Sequence, residues 1–406
     1  MKKNIQNLSI ENTIDKSCLK KFINTKNNSN LTKTIENIYD NLDIRKDTFH
    51  ILSKKFTLDY NKLNLKKFTK YKSVILIGMG GSILGAHSIY SFLKHKIKKN
   101  FIFIDNLDHL KIEQLKKNKY FKNCLFIIIS KSGNTIETLI NSSLLKNKIT
   151  FKNTIVITEK KNSMLSTFAK SKKILHIVHK DYIGGRYSVL SEVGIVPAYF
   201  MKLKINNFRK NLLSFFKTKK SFFLTESILK LAHIYKAKKI KSIILLNYAP
   251  QLNDFLYWCQ QIMAESLGKE GKGILPVVSS APRDHHSLMQ LYLDGPKDKL
   301  FYIFSLKSNK KMKIKNSIYG KSFKFIENKS MSQIAESQEK ALTKVLKRKK
   351  IPFRNFKINK INEETLGELF SYFMLETSLT GKLIGVNPFN QPAVEEVKIL
   401  TKQHLS

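Results

Sequence analysis

Short apolar runs alternate with stretches of helical composition along most of the chain. Each run is rich in Ile, Val or Phe and too short for a buried helix, which favours a buried strand. The runs lie at Val74–Ile77, Phe101–Ile104, Leu125–Ile129, Thr154–Ile157, Ile174–Val178, Ser242–Leu246 and Leu300–Leu306. Strands that alternate with helices predict an α/β fold in which doubly wound parallel sheets carry helices on both faces.

Helical patterns are clearest in the second half of the chain. Helices are predicted around Asn206–Phe216 and Ser221–Ala237, and the segment Glu363–Thr380 has apolar residues at helical spacing. Gly381 is expected to end that last helix, and Pro388 prevents its simple continuation. The pattern predicts two α/β subdomains that meet near residues 200–215.

These elements suggest three consecutive regions. Residues 1–70 form an N-terminal segment of mixed helical character without a usable motif, 71–205 form the first subdomain, and 206–406 form the second subdomain with C-terminal helices. A chain of 406 residues, 42% of them hydrophobic, is long enough to bury the cores of two such domains.

Charge changes this picture only in part. The formal net charge is +43, an excess of Lys that is spread over the whole chain. Two explanations remain open: compositional drift, because Lys, Asn and Ile share AT-rich codons, or a functional polycationic surface. Either way the field attracts anionic ligands at low salt. Nucleic acid is not an expected partner, because no zinc-finger cysteine pairs, basic zipper or aromatic RNA-binding run accompanies the charge.

The compartment is predicted to be the cytoplasm. No apolar run is as long as a membrane span, and the basic N-terminal tip lacks the apolar stretch of a secretory signal. Cys18, Cys124 and Cys259 are far apart and lack metal-ligand spacing, which fits a reducing environment. Neither a metal nor a membrane is expected at this protein's site.

Two loops that follow predicted strands suggest a phosphate site. The first, residues 74–85, contains Gly78, Gly80, Gly81, Ser82 and Gly85, and brings bare backbone close to a ligand or simply makes a tight turn. The second follows the run Leu125–Ile129 and contains Ser130, Lys131, Ser132, Gly133, Asn134 and Thr135. Hydroxyls, an ammonium group and a helix start suit a phosphate monoester at the carboxyl end of a strand, and they exceed what one helix cap needs.

Three later segments carry further candidate groups. Arg186 follows a Gly-Gly turn, and its guanidinium suits a developing oxyanion. Glu265 ends the apolar stretch Phe255–Met263, with His286 farther along, although such residues are often only structural. Lys398 follows Glu395 at helical i, i+3 spacing, which also fits a plain surface ion pair.

Taken together and in this order, the five segments resemble the glucose-6-phosphate isomerase family, most closely in its shorter bacterial form. The resemblance covers roughly residues 70–400 and implies two sugar-isomerase (SIS-type) subdomains and reversible aldose–ketose isomerisation. It implies no metal or organic cofactor, a sugar phosphate as substrate, and a homodimer that shares its active sites.

The resemblance also implies roles for individual residues. It implies that Ser130, Lys131, Ser132 and Thr135 bind the phosphate, that Gly81 and Ser82 lie beside the sugar, that Arg186 lies near the enediolate, that Glu265 is the catalytic glutamate, and that His286 and Lys398 open the sugar ring.

Departures from the family pattern keep alternatives open. The run Ser132-Gly133-Asn134 exchanges one hydroxyl for an amide and also resembles dual phosphoglucose/phosphomannose isomerases. The family's Gln-Pro-Gly-Val-Glu has Ala393 in place of glycine. A non-catalytic sugar-phosphate sensor is a further alternative, although residues 1–70 show no clear output module and a sensor has no need of Glu265, His286 and Lys398.

Overall fold

The computed structural model describes residues 2–4, 7–14, 25–44, 46–117, 121, 123–216, 218–307, 311–315 and 318–405, so the interpretation of Cys18 lies outside the described residues. The strands are β1 (Lys2–Asn4), β2 (Leu8–Asn12), β3 (Ser73–Ile77), β4 (Asn100–Ile104), β5 (Cys124–Ile129), β6 (Thr154–Thr158), β7 (Leu175–Val178), β8 (Ser242–Asn247), β9 (Leu275–Ser280), β10 (Lys299–Leu306) and β11 (Phe353–Ile358). The helices are α1 (Thr25–Asp40), α2 (Lys62–Lys66), α3 (Leu84–Leu93), α4 (His109–Lys117), α5 (Ile136–Leu144), α6 (Met164–Ser171), α7 (Glu192–Phe200), α8 (Ile205–Arg209), α9 (Thr218–Ala237), α10 (Asn253–Leu267), α11 (Met289–Asp294), α12 (Met331–Arg348), α13 (Glu363–Ile384) and α14 (Ala393–Leu405).

The chain forms two compact units, each built on one sheet. The first unit comprises Thr34–Lys217 and Asn362–Ser371, and the second comprises Met1–Lys33, Thr218–Ile361 and Tyr372–Ser406. They are not consecutive stretches, because β2 pairs with β11 and α13 contributes residues to both units. The three regions drawn from the sequence stay a prediction.

The first unit has a parallel five-stranded sheet in the order β4-β3-β5-β6-β7. All five strands lie where the apolar runs predict them. Every residue of β3 and β5 is buried, as expected for strands of a sheet that is covered by helices on both faces. The strand order reverses at β3, which has β4 on one side and β5 on the other. Ligands of open α/β sheets bind at the carboxyl edge of such a reversal.

Alternation along the strands divides the core of this unit between two faces. Ile75, Ile77 and Phe126 belong to one apolar cluster that includes Ile112 of α4 and Leu165 of α6. The intervening residues of a strand point to the opposite face, so the sheet buries side chains on both sides. This arrangement fixes the loops that follow β3 and β5 side by side at one edge.

The second unit has a six-stranded sheet in the order β1-β2-β11-β10-β8-β9. Strands β8 to β11 are parallel, whereas β1 and β2 add an antiparallel edge. The sequence predicts β8 and β10 but not β9 or β11. The β9 segment contains a proline and two serines and begins with exposed Leu275, so it lacks a continuous apolar run. In β11, charged Arg354 and Lys357 interrupt the run.

Two predictions about helix ends were wrong. Gly381 lies inside α13, where a Cβ atom would stand only 3.0 Å from Cβ of Pro388. The helix instead ends before Gly385, which has a φ of +74°. The predicted helix over Asn206–Phe216 is broken into short α8 and a 3-10 turn at Ser214–Phe216. Within the described ranges, no helix has both the length and the apolar character that crossing a membrane requires.

Candidate active site

The glycine-rich loop makes a 3-10 turn, Gly80–Ser82, between β3 and α3. Gly80 has a φ of +51°, a conformation in which glycine carries no steric penalty. A Cβ atom at Gly81 would stand 2.4 Å from the carbonyl carbon of Gly185 and 2.5 Å from the amide nitrogen of Arg186. Backbone therefore packs directly on backbone, and the loop of Gly81 and Ser82 is held against the loop of Arg186.

The polar loop after β5 is organised by its own hydroxyls. Ser130 is buried, and its Oγ lies 2.9 Å from Oγ1 of Thr135 and accepts a hydrogen bond from the Gly133 amide at 3.1 Å. Thr135 occupies the N-cap position of α5, but its side chain makes no capping bond. The hydroxyls therefore shape the loop rather than cap the helix, and exposed Ser132 lies beside them.

Lys131 of this loop contacts two neighbouring segments. Its Nζ donates to the Asp181 carbonyl at 2.9 Å and lies 3.5 Å from Oε1 of Glu159. Glu159 also pairs with Lys161 at 2.5 Å, so one carboxylate is shared by two ammonium groups. Lys131 thus bridges the loop after β5 to the segment after β7. Two ammonium groups and one carboxylate carry a net charge of about +1, which can attract an anionic ligand.

The start of α6 packs against this loop, and the sequence analysis did not predict that contact. Gly133 has a φ of +69°, and a Cβ atom there would stand 2.0 Å from Oγ of Ser163. The Met164 amide donates to Oδ1 of Asn134 at 3.0 Å, so this amide side chain ties the loop to the start of α6. Ser163 and Ser166 form a capping box, whose spacing was the available signal.

Arg186 lies in the 3-10 turn Gly185–Leu190 and is 3% exposed. Its guanidinium carbon lies 5.5 Å from the centre of the Tyr187 ring, and Ser188 Oγ donates to the Gly185 carbonyl at 2.7 Å. The interpretation of Arg186 as a residue positioned by the backbone is consistent with this burial, because an ordinary surface arginine would extend into solvent.

In the second unit, Glu265 lies in the last turn of α10 and is half-buried. Gln261, one turn earlier, donates from Nε2 to Oε1 of Glu265 at 2.9 Å. The turn that follows is tied to the segment before α14, because Lys269 Nζ donates to the Asn387 carbonyl. Glu270 in that turn is exposed and pairs with Lys272 at 3.3 Å.

His286 follows β9 at the end of the 3-10 turn Arg283–His285 and is exposed. Asp284 holds this turn: it accepts from Ser279 Oγ at 2.9 Å and from the Ser280 amide at 2.7 Å. Burial pushes the pKa of Asp284 up, but those hydrogen bonds and Arg283 outweigh burial and hold the pKa below its ordinary value.

Sequence reasoning did not single out His285 or Tyr248. Nε2 of His285 lies 2.6 Å from the Tyr248 hydroxyl, which anchors the residue next to His286. The side-by-side histidines were the only sequence signal for this contact. Burial raises the pKa of Tyr248 well above its ordinary value, so the hydroxyl keeps its proton and can act as a hydrogen-bond donor.

Lys398 lies on α14, a helix that begins directly after Pro392. Its Nζ donates to Oε1 of Glu395 at 2.7 Å, and both side chains are about 60% exposed. The i, i+3 pairing that the sequence indicates is therefore present. Both interpretations of Lys398, as a surface ion pair and as a functional cation, remain compatible with this position.

The predicted residues thus form two groups. In the first unit, Gly81 packs against the Arg186 loop, and Ser130 bonds Thr135 at the end of the neighbouring strand β5. In the second unit, Glu265, His286 and Lys398 lie on three separate elements. Each is tied to local neighbours: Gln261 bonds Glu265, Glu395 bonds Lys398, and the His286 amide donates to the Arg283 carbonyl at 3.1 Å.

Comparison with known sequences identifies related proteins. The sequence profile of the family described as phosphoglucose isomerase matches residues 9–280. The chain is 32% identical over 378 residues to a glucose-6-phosphate isomerase of Methanocaldococcus jannaschii, covering 89% of this chain and 91% of that protein. It is 30% identical over 377 residues to a glucose-6-phosphate isomerase of Campylobacter jejuni, covering 88% and 91%.

Solved structures share the fold. A hypothetical protein from Thermus thermophilus superposes with a TM-score of 0.79 and 22% identity, covering 98% of this chain and all of that one. A glucose-6-phosphate isomerase from Chlamydia trachomatis gives a TM-score of 0.78 with 18% identity, covering 100% of this chain and 89% of that one. The predicted fold class, α/β with doubly wound parallel sheets, is confirmed.

Proposed function

This chain belongs to the phosphoglucose isomerase family, and we propose from that membership that it interconverts glucose 6-phosphate and fructose 6-phosphate. The observation that carries the proposal is the family match, which spans residues 9–280 and therefore includes the phosphate loop and Glu265. The reaction is an aldose–ketose isomerisation that moves a proton between two neighbouring carbons.

The phosphate of the substrate is assigned to the loop Ser130–Thr135, with Lys131 supplying charge. The Ser130–Thr135 contact presents two hydroxyls at the start of α5, where a helix N-terminus favours an anion. The phosphate takes no part in bond changes, so its binding energy serves to position C1 and C2 of the sugar. Gly81 and Ser82 are assigned to the sugar beside it.

His286 and Lys398 are assigned to ring opening. The sugar arrives as a ring, so one group must protonate the ring oxygen while the anomeric hydroxyl loses its proton. His286 is exposed on a turn anchored by Asp284, which leaves its imidazole accessible. Lys398 would release Glu395 to contact the substrate.

Glu265 is assigned the role of base. Its carboxylate removes the C2 proton of the open aldose and returns it at C1, and one carboxylate can reach both carbons because they are adjacent. The hydrogen bond from Gln261 orients Oε1 of this carboxylate. The cis-enediolate intermediate is negatively charged, and the buried guanidinium of Arg186 is assigned to its stabilisation.

The assembly and compartment are part of the same proposal. The protein is proposed to be a cytoplasmic homodimer in which each active site uses residues of both subunits. The exposure of His286 is consistent with a contribution to a neighbouring subunit's site. Cys124 and Cys259 are buried thiols outside any disulfide, as suits a reducing compartment.

A coupled assay tests the activity. Purified protein with fructose 6-phosphate, no added metal and excess chelator should produce glucose 6-phosphate. A parallel arm with mannose 6-phosphate tests dual specificity, and an arm with labelled nucleic acid at near-physiological salt tests the polycationic alternative. Well-folded protein that turns over neither sugar phosphate would refute the proposed function.

A further inference from the structure

A cavity of about 440 Å³ lies in the first unit and is lined by residues other than those of the loops described above. It is lined on one side by Ser53 and Lys54, which follow the 3-10 turn Thr48–Leu52, and on the other by Arg209 and Lys210 at the end of α8. A cavity of this size lies within the range of small-molecule sites, roughly 300–1,000 Å³. None of the family-derived roles falls on these residues.

Arg209 is fixed in the wall of this cavity by main-chain contacts. Its Nη2 donates to the carbonyl of Ile51 at 2.9 Å and to that of Ser53 at 2.5 Å, and its guanidinium carbon lies 5.3 Å from the centre of the Phe56 ring. Its Nη1 is buried and has no hydrogen-bond partner among the described residues. A buried donor left unpaired is costly, so a movement of the guanidinium that gives Nη1 an acceptor is favourable.

No carboxylate neutralises Arg209 within the described part of the chain. The nearby acid Asp43 accepts from Ser53 Oγ at 2.5 Å and lies 3.8 Å from Lys55, and Glu364 accepts from Lys210 at 2.7 Å. Burial lowers the pKa of Arg209 to about 10, which still leaves the guanidinium charged at neutral pH. Lys54 adds an exposed cation at the rim.

We propose that this cavity is a second anion site, which binds a small molecule through a phosphate or carboxylate group. The anion lies against the guanidinium of Arg209 and beside the ammonium group of Lys54, a pairing that suits oxyanions. It gains a hydrogen bond from Nη1 when the side chain turns this enclosed nitrogen toward the cavity. Asn206 supplies a neutral donor for the rest of the ligand, whereas the Ser214 hydroxyl already donates to Oε1 of Glu368 at 3.3 Å. The cavity is far larger than one phosphate ion, which is why a larger molecule is the expected ligand.

Calorimetric titration of the full chain with inorganic phosphate and, separately, with citrate tests the site at constant ionic strength. The double variant Ser130→Ala/Thr135→Ala serves as background, because it weakens the phosphate loop and leaves the second site as the remaining one. We expect one of the two probes to bind this background, and the preferred probe distinguishes a phosphate from a carboxylate ligand.

Three further changes are then added to the background. Arg209→Gln should weaken binding by at least about tenfold, the equivalent of one charge-assisted hydrogen bond, and Lys54→Gln should weaken it by a few-fold. Lys55→Gln is the matched control, since it removes the same charge one residue away, where Lys55 faces Asp43. It should leave the affinity unchanged.

Two results would overturn the proposal. One is that neither probe binds the background variant, and the other is that Lys54→Gln and Lys55→Gln change the affinity equally, which would indicate only the general positive field. Because Lys54 is exposed, its variant keeps the test valid even if Arg209→Gln fails to fold. Binding is measured without turnover, so the outcome is independent of the isomerase activity.

Discussion

Among single residues, Glu265 gives the sharpest test of the chemistry. Glu265→Gln keeps the size of the side chain and its contact with Gln261 but removes the base. Substrate binding should survive, and kcat should fall by at least about 10²-fold, the lower end of what general base catalysis contributes. Steady-state kinetics with fructose 6-phosphate measures the split between kcat and KM.

Glu270 is the matched control for that substitution. It lies in the turn just after α10, with its side chain 65% exposed and paired with Lys272. Glu270→Gln should keep the activity near wild type. If Glu265→Gln retains more than about a tenth of the wild-type kcat, another group is the base.

His179 makes a separate prediction about stability. It is 1% exposed, its Nδ1 donates to the Lys180 carbonyl at 2.9 Å, and its Nε2 has no partner within the described residues. Burial lowers the pKa of His179 from 6.5 to about 4, and the hydrogen bond to Lys180 opposes this only in part. The unfolded chain therefore binds the proton first as the pH falls, and stability is lost between about pH 6.5 and 4.

Urea unfolding at pH 7 and pH 5 checks this sign. As the pH falls from 7 to 5, the titration of His179 should lower the wild-type free energy of unfolding by about 2 kcal/mol. His179→Asn should remove that component and flatten the pH dependence, while the same change at exposed His404 controls for the loss of an imidazole. An unchanged pH dependence in His179→Asn would show that the folded protein accommodates the charged ring.

At the scale of elements, the contact between the glycine turn and the Arg186 loop is the feature to test. A Cβ at Gly81 would lie 2.5 Å or less from backbone atoms of Gly185 and Arg186, so the two loops would have to separate. Gly81→Ala should lower kcat/KM by about 10- to 100-fold, because small displacements of positioning groups are costly.

Gly185 provides the matched control on the other side of the same contact. A Cβ atom there would meet nothing within 4 Å. Gly185→Ala should therefore leave kcat/KM close to wild type, with melting temperatures of both variants recorded to separate misplacement from unfolding. Equal effects of the two changes would mean that the packing of these loops does not set the activity.

The elements also show how far the sequence could predict the fold and the site. Buried parallel strands such as β3 and β5 are continuous apolar runs, so their positions followed from composition, and so did the loops after them. β9 and β11 were missed because their polar residues interrupt the run. The sequence indicated Ser130 and Thr135, but not Ser163 behind Gly133 or Tyr248 beside His285. Those contacts join segments distant along the chain and leave little local signal.

For the whole molecule, the net charge of +43 should act on substrate capture. A sugar phosphate is an anion, so a positive field raises its local concentration, and salt screens this attraction over a Debye length of about 10 Å at 0.1 M. Raising the ionic strength from about 0.02 to 0.3 M should lower kcat/KM at least about threefold. The kcat value should change little, because the field acts on capture rather than on the bound complex.

Two different salts distinguish whether the overall electrostatic field or a local anion site causes the salt dependence of kcat/KM. Sodium chloride and potassium acetate at equal ionic strength should act alike, since screening does not depend on which anion supplies it. A stronger effect of one anion would indicate competition at a local site, such as the phosphate loop or the cavity of Arg209. A kcat/KM independent of salt would mean that the excess of Lys does not assist catalysis, which would favour compositional drift as the explanation of the charge.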